Sequence, residues 1–153
     1  METTQQQENT DQATTPAVHV DTKYLPREYG ERACWSWISH EDPQLSDSGL
    51  FDRPGFGRYR NGALIVAITE AVRAAAQGGH QGVVVLSDSP GVADQLNGLQ
   101  PAPDGANEVY LAALVAAKDA LRENEGFVAV IPTDRNAARK ACRRIWLNSL
   151  YSR

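Results

Sequence analysis

The sequence predicts an α/β domain, a mixed five-stranded sheet with helices on both faces. Three observations predict it. The unbroken apolar run Val83-Val84-Val85-Leu86 reads as an internal strand covered on both faces, because a half-exposed strand would alternate. Residues 63–77 are apolar around most of the circumference of a helix, which marks that helix as deeply buried. Three extended segments precede it and β/α units follow it, an order that builds a mixed sheet. A chain of 153 residues with 42% hydrophobic content suffices for one core.

Residues 1–16 are rich in Gln, Thr, Glu, Asn and Asp with almost nothing to bury, so a disordered tail is expected there and the domain is assigned to 17–153. The first strand, 17–21, ends in Asp21. A second, 32–39, puts Trp35 and Trp37 on one face and Cys34, Ser36 and Ile38 on the other. The two indoles read as core aromatics rather than as an exposed base-stacking platform. After the turn-forming residues 42–49, a third extended segment is expected over 50–59, with Pro54 and two glycines suiting an edge or bulge. Asn61 or Gly62 opens the buried helix, and Gly78-Gly79 closes it. The strand over 83–86 runs into Ser87-Asp88-Ser89, and Pro90 begins a helix to about 99, at a position where a missing N–H costs little. A loop over 101–105 precedes a helix over 108–124, with Val109, Ala112, Ala113, Ala116 and Ala120 on one face. A strand at 127–131, a turn at 132–136 and a helix at 137–151 complete the chain.

The net charge of -4 and pI near 5.3 argue against indiscriminate polyanion binding, since nucleic-acid affinity rests largely on phosphate neutralisation. Any such binding must be local. Cys34 and Cys142 have no metal-like spacing and read as plain core residues of a reduced intracellular protein. The first residues lack the basic start and apolar run of a signal peptide, and no segment reaches the roughly 20 apolar residues of a membrane span. A cytoplasmic protein without a membrane partner is expected. His19, His40 and His80 form no ligand or triad spacing.

This element order, with Asp21 closing the first strand and Asp88 the fourth, resembles the ribonuclease H-like superfamily. The matching pieces are Val18-His19-Val20-Asp21, Asn61-Gly62-Ala63, Val85-Leu86-Ser87-Asp88-Ser89, and Val130-Ile131-Pro132 leading to Asn136; together they cover about 17–149. Members that cleave RNA in RNA/DNA hybrids use four acids to hold two magnesium ions about 4 Å apart, which clamp the attacking and leaving oxygens. The resemblance carries two of those acids over, Asp21 and Asp88, as the catalytic and metal-holding pair on adjacent strands. The other two positions hold Leu64 and Lys140. Glu70 cannot replace Leu64, because six residues at 100° each put it about 120° away around the helix. The expectation is therefore that nuclease activity is lost or much reduced, with no cofactor, or magnesium or manganese if activity persists. Lys140 is expected close to Asp21 and Asp88, standing in for a metal ion. Asp134 matches the turn where many members carry a helpful His and is a further candidate catalytic residue; alternatively Thr133 or Asp134 caps the last helix.

Two segments carry local positive charge. The last helix holds Arg135, Arg139, Lys140, Arg143 and Arg144, with Arg139 and Arg143 flanking its apolar stripe, either as a phosphate-binding strip or as an ordinary solvated face. At Arg58-Tyr59-Arg60-Asn61-Gly62 the resemblance implies the border of a hybrid-binding groove, with Asn61 reading 2'-hydroxyls and Arg58 and Arg60 taking phosphates. Read without the resemblance, Asn-Gly is simply a good helix opening. The sequence thus points to a nucleic-acid-binding pseudoenzyme whose partner is an RNA/DNA hybrid or other structured nucleic acid. The alternatives are an active, divergent metal-dependent nuclease using Asp21, Asp88 and Asp134, and a scaffold that binds a protein partner through the fold alone.

Overall fold

The computed structural model describes residues 15–29, 31–52 and 54–151. Of the expected tail, residues 1–14 lie outside the described residues. Pro16 is buried, and its carbonyl accepts from the Val84 N–H at 3.0 Å.

The strands are β1 (Ala17–Tyr24), β2 (Ala33–Ile38), β3 (Asp47–Phe51), β4 (Val83–Ser87) and β5 (Gly126–Val130). The helices are α1 (Asn61–Gln77), α2 (Pro90–Leu96), α3 (Glu108–Glu123) and α4 (Ala138–Tyr151). The strands form one sheet in the order β3-β2-β1-β4-β5. β1 to β3 pair antiparallel, whereas β4 runs parallel to both β1 and β5. The five-stranded mixed sheet expected from the sequence is the sheet observed.

Strand parity decides which helix each side chain meets. Val18 and Val20 of β1, Ala33 and Trp37 of β2, and Val83 and Val85 of β4 enter one core with Ile65, Ile68 and Val72 of α1 and Tyr110 and Leu114 of α3. The residues between them face the other side, where α4 packs on β1, β2 and β3. Trp37 is buried, and Trp35 stacks on it with ring centroids 4.4 Å apart, so the indoles do belong to the core. Side-chain caps start two of the helices. Ser89 accepts from Val92 N at the start of α2, and Asn107 accepts from Tyr110 N at the start of α3.

Several boundaries differ from expectation for identifiable reasons. β1 continues three residues past Asp21 because β2 goes on pairing with it, as Thr22↔Trp35, Lys23↔Cys34 and Tyr24↔Ala33. The third strand lies at Asp47–Phe51 rather than 50–59. Beyond it, Pro54 lacks an N–H, and Gly55 and Gly57 take φ of 78° and 59°, which a pleated ladder cannot use. α2 stops at Leu96, just before Gly98 at φ 78°. On α3 the buried residues are Tyr110, Leu114, Ala117, Ala120 and Leu121, so Ala120 is buried as expected, whereas Val109 and Ala112 are exposed. An alanine-rich helix has little preference of its own, so its few large side chains set the rotation. Among the described residues, no helix is long and apolar enough to cross a membrane.

Glycine, a weak helix former, occupies the first turn of α1 because of a close approach. A Cβ on Gly62 would lie 2.3 Å from the ring of buried Phe56. Gly62→Ala is expected to cost about 1–3 kcal/mol through this overpacking, despite alanine's better helix propensity. Urea denaturation reads it, and an unchanged midpoint would mean that Phe56 can move aside.

Candidate functional site

The site begins with parity along β1. Since Val18 and Val20 point into the core, His19, Asp21 and Lys23 point to the α4 side. Asp21 sits directly opposite Ser36 of β2. Asp88 follows the end of β4, one strand away. The structure thus brings Asp21 and Asp88 together, although Asp21 lies within its strand rather than at its end.

The consequence is electrostatic. The Asp21 carboxyl is pushed up to about 6, first by burial and then by the negative charge of Asp88. Its hydrogen bond with Thr22 and the positive charges of Arg139 and Lys23 oppose the shift without cancelling it. Two carboxylates held this way form a locally unfavourable arrangement of the kind associated with functional sites.

Asn136 holds the arrangement in place. Its Nδ2 donates to the Val20 carbonyl at 3.0 Å and to Asp88 Oδ2 at 3.4 Å. Its Oδ1 accepts from Ala138 N at 3.0 Å. One buried side chain thereby joins β1, the Asp88 carboxylate and the start of α4. It also supplies the α4 cap that the sequence suggested for Thr133 or Asp134, because its side chain is turned toward the helix's first free N–H. Asn136→Ala is expected to cost about 2–3 kcal/mol by orphaning the buried Val20 carbonyl and this N–H. A thermal melt unchanged from wild type would refute the role.

Lys140, the cation expected beside the carboxylates, is not among the main charges acting on Asp21. Ala138 and Cys142 are the buried residues of α4, and Lys140 lies two residues, about 200°, around the helix from Ala138. It is exposed and lines a cleft along α4. Arg139, about 100° from Ala138, is the α4 cation that acts on Asp21. Leu64 is buried in the core. Glu70 is exposed and pairs with Arg73 at 3.2 Å. Asp134 is exposed on the turn Thr133–Arg135 before α4.

The donor set can be tested against the two-metal arrangement that the resemblance implies. Magnesium and manganese need several oxygen ligands. Asp21 and Asp88 supply carboxylates, but among the described residues no three His, Cys, Asp or Glu side chains gather into a group that could hold a metal ion. Asp134 does not complete one. A cation, Arg139, also acts on Asp21. These residues do not fit a two-metal site.

Beside the carboxylates lies a cleft of about 350 Å³ lined by Thr133, Asp134, Arg135, Asn136, Arg139, Lys140 and Arg143. Four of these are cations. Arg58, Arg60 and Asn61 are exposed at the start of α1. The Arg58 guanidinium donates to the Tyr59 hydroxyl at 2.7 Å, and that of Arg60 lies 4.2 Å above the Tyr24 ring. The α4 side reaches the same residue, since Trp146 Nε1 donates to the Tyr24 carbonyl at 3.0 Å, and the Lys23 ammonium sits 4.2 Å over the Trp146 ring. Tyr24 thus takes a contact from Arg60 on its ring and one from Trp146 of α4 on its carbonyl.

Lys23, Tyr24 and Trp146 are passed over in the sequence reading, and Asn136 appears there only as part of the motif before the last helix. Trp146 lies four residues after buried Cys142, so extending the apolar stripe of α4 would find it. Lys23 and Tyr24 lie beyond the expected end of β1, where strand parity has nothing to act on.

No family model matches the sequence, and a search of curated proteins finds no match. Solved structures do match the fold. The N-terminal RNase H domain of Rv2228c from Mycobacterium tuberculosis superposes with a TM-score of 0.71 at 17% identity, over 90% of this chain and 97% of that one. RNase H1 from the halophilic archaeon Halobacterium salinarum gives 0.70 at 19% identity, over 88% and 98%. LC11-RNase H1, solved in complex with an RNA/DNA hybrid, gives 0.68 at 15% identity, over 88% and 99%. The chain has a ribonuclease H-like fold.

Proposed function

We propose that this ribonuclease H-like domain binds an RNA/DNA hybrid, or another structured nucleic acid, with nuclease activity lost or much reduced. The observation that carries the reading is the charge environment of Asp21, where Asp88 is the acid and Arg139 and Lys23 are the cations acting on it, beside the cleft lined by Arg135, Arg139, Lys140 and Arg143. A site with Leu64 and Lys140 at the positions where the resemblance implies acids retains attraction for phosphate while lacking ligands for the ions that activate water. The similarity to LC11-RNase H1, solved with a hybrid, supports the choice of ligand.

Two Arg-bearing segments, at the start of α1 and along α4, suit a duplex whose strands are gripped by backbone contacts, with Asn61 available to a 2'-hydroxyl. An overall charge of -4 then confines binding to these segments. Affinity should fall steeply with salt, because each neutralised phosphate releases a condensed counterion.

A labelled RNA/DNA hybrid tests the reading by fluorescence anisotropy across a salt series and by gel analysis after incubation with manganese. Salt-sensitive binding without product is expected, together with no tight magnesium or manganese binding by calorimetry. A metal-dependent product lost in both Asp21→Asn and Asp88→Asn would establish an active nuclease instead. Absence of binding at low salt would leave a protein-binding scaffold.

A further inference from the structure

Away from the carboxylates' solvent side, α4 is held to β2 by two thiols. Cys34 and Cys142 are both buried and lie 108 positions apart in the chain, yet their sulfurs are 3.0 Å from each other. Each sulfur also reaches the other residue's carbonyl, Cys34 Sγ to Cys142 O at 3.3 Å and Cys142 Sγ to Cys34 O at 3.5 Å. This is a reciprocal, facing arrangement and not two cysteines that merely share a core. We propose that Cys34 and Cys142 form a reversible disulfide under a hydroperoxide oxidant, a redox-controlled staple between β2 and α4.

Geometry permits it. A disulfide needs its sulfurs at about 2.0 Å, so about 1 Å remains to be closed between side chains already pointed at one another. A hydrogen bond joins the two thiols; it draws Cys34 below the ordinary thiol range and, with burial, raises Cys142. The thiolate of the pair is the nucleophile, and the directions of the two shifts favour Cys34. Its sulfur attacks one peroxide oxygen, the O–O bond breaks, and the departing hydroxide takes a proton to become water, leaving Cys34 as the sulfenic acid. The Cys142 sulfur then attacks the Cys34 sulfur. The S–S bond forms, the S–OH bond breaks, and the hydroxide leaves as water with the Cys142 proton. Two thiols and one peroxide give one disulfide and two waters, the thiols being oxidised and the peroxide reduced. Peroxide is close to water in size, which suits buried sulfurs better than a bulky disulfide oxidant.

The staple would sit next to the carboxylates, because the Asp21 charge acts on both thiols. Arg139 is one turn before Cys142 on the same helix. Closing a loop of 108 positions also removes much freedom from the unfolded chain. Disulfide formation requires only the two thiols and the oxidant, whatever the domain binds.

The test treats the reduced full chain with hydrogen peroxide, then denatures and alkylates it for intact mass and non-reducing peptide mapping. The expected result is a loss of two hydrogens, no alkylation at either cysteine, and a peptide joining Cys34 to Cys142. Melting temperature should rise on the order of 10 °C, and dithiothreitol should reverse all of these. Cys34→Ala and Cys142→Ala should each abolish the link and the rise. Should a variant fail to fold, the wild-type peptide map still decides. Thiols that stay alkylatable, that gain only oxygen, or that link separate chains would overturn the proposal.

Discussion

Asp21→Asn is expected to make the protein more stable at neutral pH, by about 1–2 kcal/mol, and to raise its melting temperature by about 3–6 °C. The Asp21 carboxyl is displaced from 3.8 to about 6 by burial and by Asp88. Ionising it therefore costs more in the folded protein than in the unfolded chain. A shift of about 2 units corresponds to roughly 3 kcal/mol, and partial exposure to solvent reduces it to the lower figure. The sign follows from proton counting: between about pH 4 and 6 the folded state holds more proton than the unfolded one, so this group's contribution to stability declines as pH rises through that window. Below it the group has no effect, and above it the full cost applies. Thermal melts of wild type and Asp21→Asn from pH 3.5 to 7.5 should coincide at the acid end and separate toward neutrality. A variant no more stable than wild type at pH 7 would show that Asp21 carries no such strain. Stability gained by removing a side chain is the signature of a position kept for function.

Removing Arg139 and Arg143 together is expected to weaken hybrid binding about 100-fold at low salt. Each charge-assisted hydrogen bond contributes about 1.5–3 kcal/mol, and tenfold in affinity is about 1.4 kcal/mol. The salt slope should fall by about one for each phosphate that is no longer neutralised. The two arginines differ in a second readout. Arg139 draws the Asp21 carboxyl downward, so Arg139→Ala should raise its titration further above its wild-type position. Arg143 and Lys140 are not among the main influences on Asp21, so Arg143→Ala and Lys140→Ala should move it less. Carboxyl carbon NMR across pH separates these outcomes. If the double variant binds the hybrid as wild type does, the cleft on α4 is an ordinary solvated surface.

Binary pattern and punctuation make most of the fold legible. The apolar run over β4, the all-round apolar α1 with its Gly78-Gly79 end, and Pro90 at the head of α2 are local signals, and each element stands where the pattern puts it. Strand limits are less legible because pairing, not propensity, sets them. β1 runs to Tyr24 only because β2 offers it a partner up to Ala33. The rotation of α3 departs from expectation for a related reason: a run of alanines specifies a helix but not which side faces the core, and Tyr110 and Leu114 decide it.

At the site, the residue types are legible in the chain: Asp21 and Asp88 as carboxylates, Leu64 and Lys140 at the positions where the resemblance implies acids, and a basic last helix. Which of them act on one another depends on packing. A step of one residue along a helix turns a side chain by about 100°, and of the α4 cations it is Arg139 whose charge acts on Asp21. Equally, Cys34 and Cys142 meet across 108 positions of chain because α4 docks on the face of β2 that carries Cys34. Interactions of this kind depend on ångström distances and on which face an element presents, and neither is fixed until the elements have packed.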